Sequence, residues 1–243
     1  MYFDKRIIYL ILGCLILVNV ISLLSEPETL LTLLLTIPAV LIAITFHEYA
    51  HAFAADKLGD DTPRRQGRLT LNPLKHLDPF GTLMLFFAGF GWGKPVEIDS
   101  RNFNRNIKMS AAEAIVAAAG PIMNFVLAIV FSFIYAILWK FAYGFIVTQI
   151  GYIMHIVVKE CIVINLGLGI FNLIPLPPLD GSNIIKGILP YKVRNWFEQY
   201  YQIFYFVFIV IWITKLASLI ISPVINAVSE WLMNITLSIF GLI

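Results

Sequence analysis

Two histidines one helical turn apart are the first residues in the chain that could do chemistry. The sequence reads His47-Glu48-Tyr49-Ala50-His51 near the end of a long apolar run. Side chains four residues apart lie one above the other on a helix, so both imidazoles could bind one metal ion. Glu48 borders the same face and could deprotonate a water whose pKa a bound zinc ion lowers. The pattern therefore predicts metal-assisted hydrolysis, with Glu48 as the general base.

A catalytic zinc usually takes a third protein ligand, so a further histidine or carboxylate is needed. Most candidate ligands have another explanation. We expect His76 on the surface, and Asp56 at a solvated helix end with Asp60 and Asp61. His155 and Glu160 should lie near the opposite membrane face, and Glu113 at a helix amino terminus, which favours a carboxylate.

Asp180 differs from the other candidates because an interrupted helix precedes it. Pro175, Pro177 and Pro178 come directly before Leu179-Asp180-Gly181. Prolines cannot continue a helix, and broken backbone at membrane depth occurs only inside protein or beside water. This segment should therefore bring the Asp180 carboxylate into a cavity. With neutral histidines, Asp180 and Glu48 would balance the charge of Zn²⁺. An ordinary Asp-Gly turn is the alternative.

The composition shows which elements must position these residues. Of 243 residues, 59% are hydrophobic and only 13% are charged, and the mean hydropathy is +0.84. These values exclude a soluble globular domain, and a net charge of +2 gives no reason to expect nucleic-acid binding. We predict an all-α polytopic membrane protein, one membrane domain over 1–243, with six spans at about 7–24, 29–58, 110–139, 145–174, 197–221 and 224–242.

The basic residues predict how the spans are oriented. Fourteen of the 17 Lys and Arg residues fall before the first span, in the loop 59–108 or at Lys57 just before it, or between the fourth and fifth spans. Because basic loops stay in the cytoplasm, both termini and the His47 side are predicted to be cytoplasmic, in a multi-pass protein of the cell membrane. A cleaved signal peptide at the amino terminus is disfavoured, because residues 25–28 carry no cleavage pattern.

The loop 59–108 contains two segments that alternate polar and apolar residues. These are Arg68–Asn72 and Pro95–Asp99, and a Gly-rich apolar patch, Phe80–Trp92, lies between them. Alternation is typical of half-buried strands, so we predict a small β-hairpin or re-entrant element between the second and third spans. Irregular loop is the alternative for either segment. The second to fourth spans would then form a three-helix core within about 29–186.

Several motifs together resemble the site-2 protease family of intramembrane zinc metalloproteases. They are His47–His51, Asn72–His76, Gly91–Val96, Gly120–Asn124 and Pro178–Gly181. The match covers roughly 29–186, while the outer spans agree only in number and hydrophobicity. The compact bacterial and archaeal members, without a PDZ or regulatory domain, are the most similar.

The resemblance implies a role for each matching residue. His47, His51 and Asp180 would bind one zinc ion per chain, and Glu48 would be the general base. Asn172 would steady the substrate or an oxyanion, although capping of carbonyls freed by the prolines is an alternative. Asn124 lies in the family's Gly-Pro-x-x-Asn pattern, which we interpret as packing or gating.

The implied substrates are transmembrane segments of membrane proteins, in contact with the lipid bilayer. A substrate helix must unwind before hydrolysis, and its backbone then needs new hydrogen-bond partners. Strand addition along Leu69, Thr70 and Leu71 could supply them. Two other classes remain open: a membrane zinc protease of another lineage, with Glu198 as the late ligand, and a non-proteolytic metal-stabilised scaffold or transporter. The sequence does not predict the oligomeric state.

Overall fold

The described part of the chain is built from helices. The computed structural model describes residues 25–88, 91–214 and 216–242, together with Gly13, Val18 and Ile21. We number the helices α1 (Pro27–Lys57), α2 (Thr62–Arg65), α3 (Pro79–Ala88), α4 (Met109–Phe141), α5 (Tyr143–Ile146), α6 (Gln149–Asn172), α7 (Asp180–Ile188), α8 (Tyr191–Gln199), α9 (Tyr201–Ile213) and α10 (Leu216–Ile239). Short 3₁₀ turns form at Pro73–Lys75 and Ser100–Asn102.

Four of the described helices are long and apolar enough to cross a membrane. They are Leu30–Lys57 within α1, and α4, α6 and α10 in full. Three of them run through an internal proline, Pro38, Pro121 and Pro223 respectively in α1, α4 and α10. Neighbouring helices re-satisfy the freed backbone groups in such cases. These spans fit the predicted multi-pass membrane protein.

The predicted spans agree with the structure in the middle of the chain and differ after residue 196. The second, third and fourth predicted spans correspond to α1, α4 and α6, with bounds shifted by a few residues. The predicted division between two spans at Ser222-Pro223 is wrong, because α10 continues through Pro223. The division between α9 and α10 falls near Thr214 instead. The predicted fifth span becomes α8, the 13-residue α9 and the start of α10. The predicted first span, 7–24, lies almost wholly outside the described residues.

Three helices, α1, α4 and α6, pack against one another and form the centre of the structure. The face of α4 that they bury repeats every fourth residue and consists mainly of small side chains: Ala112, Val116, Gly120, Asn124, Ala128, Ser132 and Ala136. Without water to drive hydrophobic association, membrane helices associate through close backbone contact, which small residues permit. This face places the middle of α4 directly against the histidines of α1.

The loop between α1 and α4 forms no strand within its described residues. The predicted segments 68–72 and 95–99 are irregular, so the predicted hairpin is not confirmed. The pairing found instead is one antiparallel bridge between Leu77 and Gly93, beside which Lys94 N donates to His76 O over 2.7 Å. Hydrogen bonds from side chains stabilise this loop more than backbone pairing does. The buried Arg68 guanidinium donates to the carbonyls of both Lys75 and Lys94.

His76, predicted to lie on the surface, is fully buried in this loop. Its Nε2–H donates to Thr70 O over 2.7 Å. Burial lowers the pKa of His76, so the ring stays neutral. The prediction failed because neighbouring Lys75 and Asp78 indicated solvent, whereas the loop folds over the ring. His76 is a structural residue of the loop and is not in the group of potential metal ligands.

Asp60 fastens the other end of the loop to α1. The prediction of a solvated carboxylate is wrong, because Asp60 is fully buried. Its Oδ1 accepts from Asn102 Nδ2 (3.0 Å) and from Thr62 N (3.0 Å), and its Oδ2 accepts from Asp99 N (2.7 Å). Burial alone would raise the pKa of Asp60, but these hydrogen bonds outweigh burial and lower it. Arg101 pairs with Asp99 and lowers the pKa of Asp99 to about 2.

Candidate metal centre

Three potential ligand atoms converge where α1, α4 and α7 meet. Asp180 Oδ2 lies 3.1 Å from His47 Nε2 and 3.3 Å from His51 Nε2, and the two Nε2 atoms are 3.1 Å apart. His47 and His51 are buried, and the Asp180 side chain is 18% exposed. Among the described residues, this is the one group of three or more His, Cys, Asp or Glu side chains that could hold a metal ion. The two sequence features, the spaced histidine pair and the proline-interrupted segment before Asp180, thus bring their side chains to one site.

Asp180 reaches the histidines because α6 ends at Asn172 and α7 starts at Asp180 itself. The intervening prolines prevent a continuous helix, and the chain turns back with Pro177 and Leu179 buried. Gly181 follows because a Cβ there would lie 2.4 Å from the carbonyl oxygens of Leu173 and Ile174. The first turn of a helix also favours a carboxylate, since the helix dipole is positive there.

Hydrogen bonds at the far ring nitrogens orient both imidazoles. His51 Nδ1 lies 2.7 Å from Val116 O, and a carbonyl oxygen can only accept, so Nδ1 of His51 carries the proton. His47 Nδ1–H donates to Asn124 Oδ1 over 2.6 Å. In a neutral ring this arrangement leaves each Nε2 unprotonated, with its lone pair directed toward Asp180. This is the protonation state that a metal ion requires of histidine ligands.

Gly120 provides the space in which the ligand atoms meet. A Cβ at this position would lie 2.5 Å from His51 Nε2 and 2.7 Å from His47 Nε2. No side chain other than hydrogen fits so close to both rings. The backbone of α4 therefore forms one wall of the site.

A divalent cation would satisfy the three ligand atoms better than their contacts with one another do. Among the described residues, the buried Asp180 Oδ2 has no hydrogen-bond partner of acceptable geometry, although two histidine nitrogens lie within 3.3 Å of it. A buried carboxylate oxygen without a partner is costly. A metal ion among these three atoms would satisfy the oxygen and both lone pairs at once. Two imidazoles, one carboxylate and an open position are typical of catalytic zinc.

Glu48 directly follows His47 on α1, and a residue of the loop 59–108 binds its carboxylate. Val96 N donates to Glu48 Oε2 over 3.0 Å. Glu48 is not in the ligand group itself. Its second oxygen, Oε1, accepts no hydrogen bond from the described part of the chain and could hold a water. The arrangement suits a general base next to a metal, as the sequence predicts.

The other predicted site residues lie as follows. Asn172 Nδ2 donates to Leu168 O over 3.0 Å, one turn back in α6, so its oxyanion role stays a prediction. Leu69, Thr70 and Leu71 form no strand in this structure, and Leu71 is exposed. The remaining ligand candidates are not in the group: Asp56 pairs with Arg64, Glu113 accepts from Ser100 Oγ, and His155 packs against Tyr135 and Trp139, one turn from Glu160.

The sequence interpretation missed the contacts that orient the site. The sequence suggests packing or gating for Asn124, but its amide oxygen accepts a hydrogen bond from His47 Nδ1–H. Its presence in an apolar helix, four residues after Gly120, was the available signal. The carbonyl of Val116 and the amide of Val96 are backbone groups, so the residue type at these positions gives no indication of their role.

Within the described residues, four apolar helices that could span a membrane, together with a potential metal site of two histidines and one aspartate beside a glutamate, are typical of multi-pass membrane metallohydrolases. The model of "Peptidase family M50" matches residues 35–159 and 146–214, and the chain belongs to this family. The match confirms the resemblance to site-2 proteases and makes the protein a metalloendopeptidase.

Curated relatives carry the name "Putative zinc metalloprotease". YwhC of Bacillus subtilis is 40% identical over 203 residues, which are 82% of this chain and 90% of the relative. Rip2 of Mycolicibacterium smegmatis is 30% identical over 157 residues, 63% of this chain and 56% of that protein. Rip2 of Mycobacterium tuberculosis is 29% identical over 144 residues, 58% of this chain and 52% of that protein. No solved structure shows a significant match.

Proposed function

We propose that the protein is a zinc-dependent endopeptidase that hydrolyses peptide bonds in transmembrane segments of other membrane proteins. His47, His51 and Asp180 hold one zinc ion per chain, and Glu48 is the general base. The observation that carries the proposal is the meeting of three ligand atoms, all within 4.8 Å of one another, two from the spanning helix α1 and one from the start of α7. The relatives' names support zinc as the metal.

The residues around the metal have distinct tasks in this reaction. When bound, zinc lowers the pKa of water and polarises a peptide carbonyl. Glu48 accepts a proton from the attacking water and passes it to the leaving amine. Its held oxygen, Oε2, stays on Val96 N, which leaves Oε1 for the proton. The neutral histidines and the charges of Asp180 and Glu48 keep the loaded site electrically balanced.

The substrate class follows from where the site lies. His47 and His51 are part of α1, a spanning helix, and both are buried among neighbouring helices. A helix in the bilayer lies beside the same spanning helices, so a transmembrane segment suits this location better than a soluble protein does. The family also implies membrane-protein substrates and a lipid environment.

Two further parts of the proposal concern substrate handling and orientation. An unwound substrate would pair with the backbone at Leu69, Thr70 and Leu71, and Asn172 would steady it or the developing oxyanion. Replacement of Asn172 by alanine should then slow cleavage and leave the zinc content unchanged. The positive-inside distribution supports a cytoplasmic active-site side and cytoplasmic termini.

The decisive experiment uses the purified full chain in lipid, with a tagged single-span membrane segment as substrate. Glu48→Gln should abolish cleavage and keep its zinc, because glutamine still accepts from Val96 N but cannot take a proton. Asp180→Ala should lose zinc. Glu160→Gln, another glutamate on a spanning helix, is the matched control and should cleave normally. Cleavage by the Glu48→Gln protein would overturn the mechanism, and zinc binding without any cleavage by wild type would favour a metal-stabilised scaffold.

A further inference from the structure

Two asparagines lie fully buried between the central helices. Asn124 on α4 and Asn165 on α6 are both 0% exposed. Asn165 was not singled out by any sequence pattern. Polar side chains at such depth are expensive unless every donor and acceptor is paired, and they usually mark function. The hydrogen bonds of these two amides form a continuous chain that ends on His47.

The direction of each bond in this chain is fixed. Asn165 Nδ2 donates to Cys161 O over 2.8 Å, so its Oδ1 must face Asn124. Asn124 Nδ2 donates both to that Oδ1 (2.9 Å) and to Ala43 O (3.1 Å). Because the carbonyls of Cys161 and Ala43 can only accept, neither amide can be flipped. Asn124 Oδ1 is left as the acceptor for His47 Nδ1–H, at 2.6 Å.

We propose that Asn124 is a positioning residue for His47 and that Asn165 acts through it. The pair holds the His47 ring in the tautomer with the proton on Nδ1, and directs the Nε2 lone pair toward His51 and Asp180. This inference rests on the proposed zinc site. Metal-binding histidines commonly donate their second N–H to an outer partner, which fixes the tautomer and the ring orientation.

The chemistry of an amide suits this position better than a carboxylate would. The site already contains the charges of Asp180 and Glu48, and a third negative charge in the membrane interior would be unbalanced. An amide accepts from His47 without adding charge. Its two N–H groups also join α1 to α6, so the same side chain sets the distance between the helix that carries the histidines and the helix that leads to Asp180.

The two histidines depend on different kinds of partner. His51 Nδ1–H donates to a backbone carbonyl, Val116 O, which no side-chain substitution removes. His47 relies on a side chain. Substitutions at Asn124 should therefore disturb one ligand of the pair and leave the other oriented, so that zinc binding is weakened rather than abolished.

The test measures zinc affinity of the purified full chain, by competition with a chromophoric chelator, beside thermal unfolding of the metal-free protein. Asn124→Leu should lower zinc affinity by about 10–100-fold, the effect expected for loss of an outer-shell partner. Asn165→Leu should cause a smaller loss, since Asn124 Nδ2 keeps its bond to Ala43 O. Ser132→Ala removes another buried hydrogen bond of α4, to Ile129 O, and is the matched control with wild-type affinity.

The outcomes separate this inference from the proposed function. A purely structural role would lower the unfolding temperature of the asparagine variants but leave the zinc affinity of the folded protein unchanged, and that result would overturn the inference. If Asn124→Leu does not fold, Asn165→Leu decides alone, and wild-type affinity in it overturns the inference. If Asp180→Ala binds zinc as tightly as wild type, the zinc site itself is wrong, which is a failure of the proposed function.

Discussion

The backbone amide of Val96 donates to Oε2 of Glu48 over 3.0 Å, although 48 residues separate them in the sequence. The contact joins the loop 59–108 to the proposed general base. Arg68 supports it by donating to the carbonyl of Lys94, two residues before Val96. The loop therefore contributes directly to the orientation of Glu48 on α1.

Removal of this amide should slow cleavage without removal of the metal. Val96→Pro deletes the donor, and a hydrogen bond to a charged group contributes about 1.5–3 kcal/mol, so we expect a roughly 10–100-fold lower kcat. Val96→Ala keeps the amide and is the control for the lost side chain. Zinc content is measured on both. Equal rates for the proline and alanine variants would mean that the contact has no role in catalysis.

Gly120→Ala should lower zinc binding. The new Cβ would lie 2.5 Å from His51 Nε2 and 2.7 Å from His47 Nε2, so a ring or the backbone of α4 must move. The helix itself would tolerate alanine, which has a higher helix propensity than glycine by about 1 kcal/mol. Metal analysis of the purified protein gives the readout. Gly144→Ala is the control, because its Cβ would meet nothing within 4 Å; full zinc occupancy in both variants would contradict the expectation.

Acid should loosen the loop through Asp60 and Asp99. Hydrogen bonds lower the pKa of Asp60, and Arg101 lowers the pKa of Asp99 to about 2, from ordinary values of 3.8. A lowered pKa stabilises the folded loop above pH 3.8, and this stabilisation is lost as the pH falls through the folded-state values. Hydrogen exchange of residues 95–104, corrected for the intrinsic pH effect, should accelerate below pH 3.8.

Asp60→Asn should reproduce that acceleration at neutral pH. The amide cannot accept from Asp99 N and from Thr62 N at the same time, because one end now donates. Asp61→Asn, a change at an exposed neighbour that pairs with Arg65, is the control. Slow exchange in the Asp60→Asn protein at pH 7 would show that the carboxylate does not hold the loop.

The residues that the sequence reveals are those that contrast with their surroundings. His47, Glu48, His51 and Asp180 stand out because apolar or proline-rich sequence surrounds them, and the structure brings His47, His51 and Asp180 into one group. Gly120, by contrast, contributes to the site because it has no side chain, which leaves room for both histidine rings. Val116 O and Val96 N contribute as backbone atoms. Groups of this kind depend on which helices meet, which composition and periodicity do not determine.

The errors in the predicted elements have the same origin. Pro223 indicated a break, but proline is tolerated inside a helix when packed neighbours satisfy the freed carbonyl, so α10 continues. Alternation over 68–72 predicted a strand, but a strand needs a partner. Here no strand of the described chain pairs with the segment, and the guanidinium of Arg68 binds the carbonyls of Lys75 and Lys94.

The backbone of Leu69–Leu71, which forms part of no strand among the described residues, gives the last prediction, which concerns substrate binding. Leu71 is 49% exposed, and its segment pairs with no strand of the described chain, so a substrate backbone could add there. Leu71→Pro removes one donor and should raise KM or lower kcat/KM for a membrane-segment substrate, with zinc content unchanged. Leu71→Ala keeps the donor and controls for the side chain. If Leu71→Pro and Leu71→Ala cleave with the same kcat/KM, the substrate does not pair at this edge. The segment Pro95–Asp99 is a less accessible alternative, because its amides at Val96 and Asp99 are already bound to Glu48 and Asp60 and would have to be released.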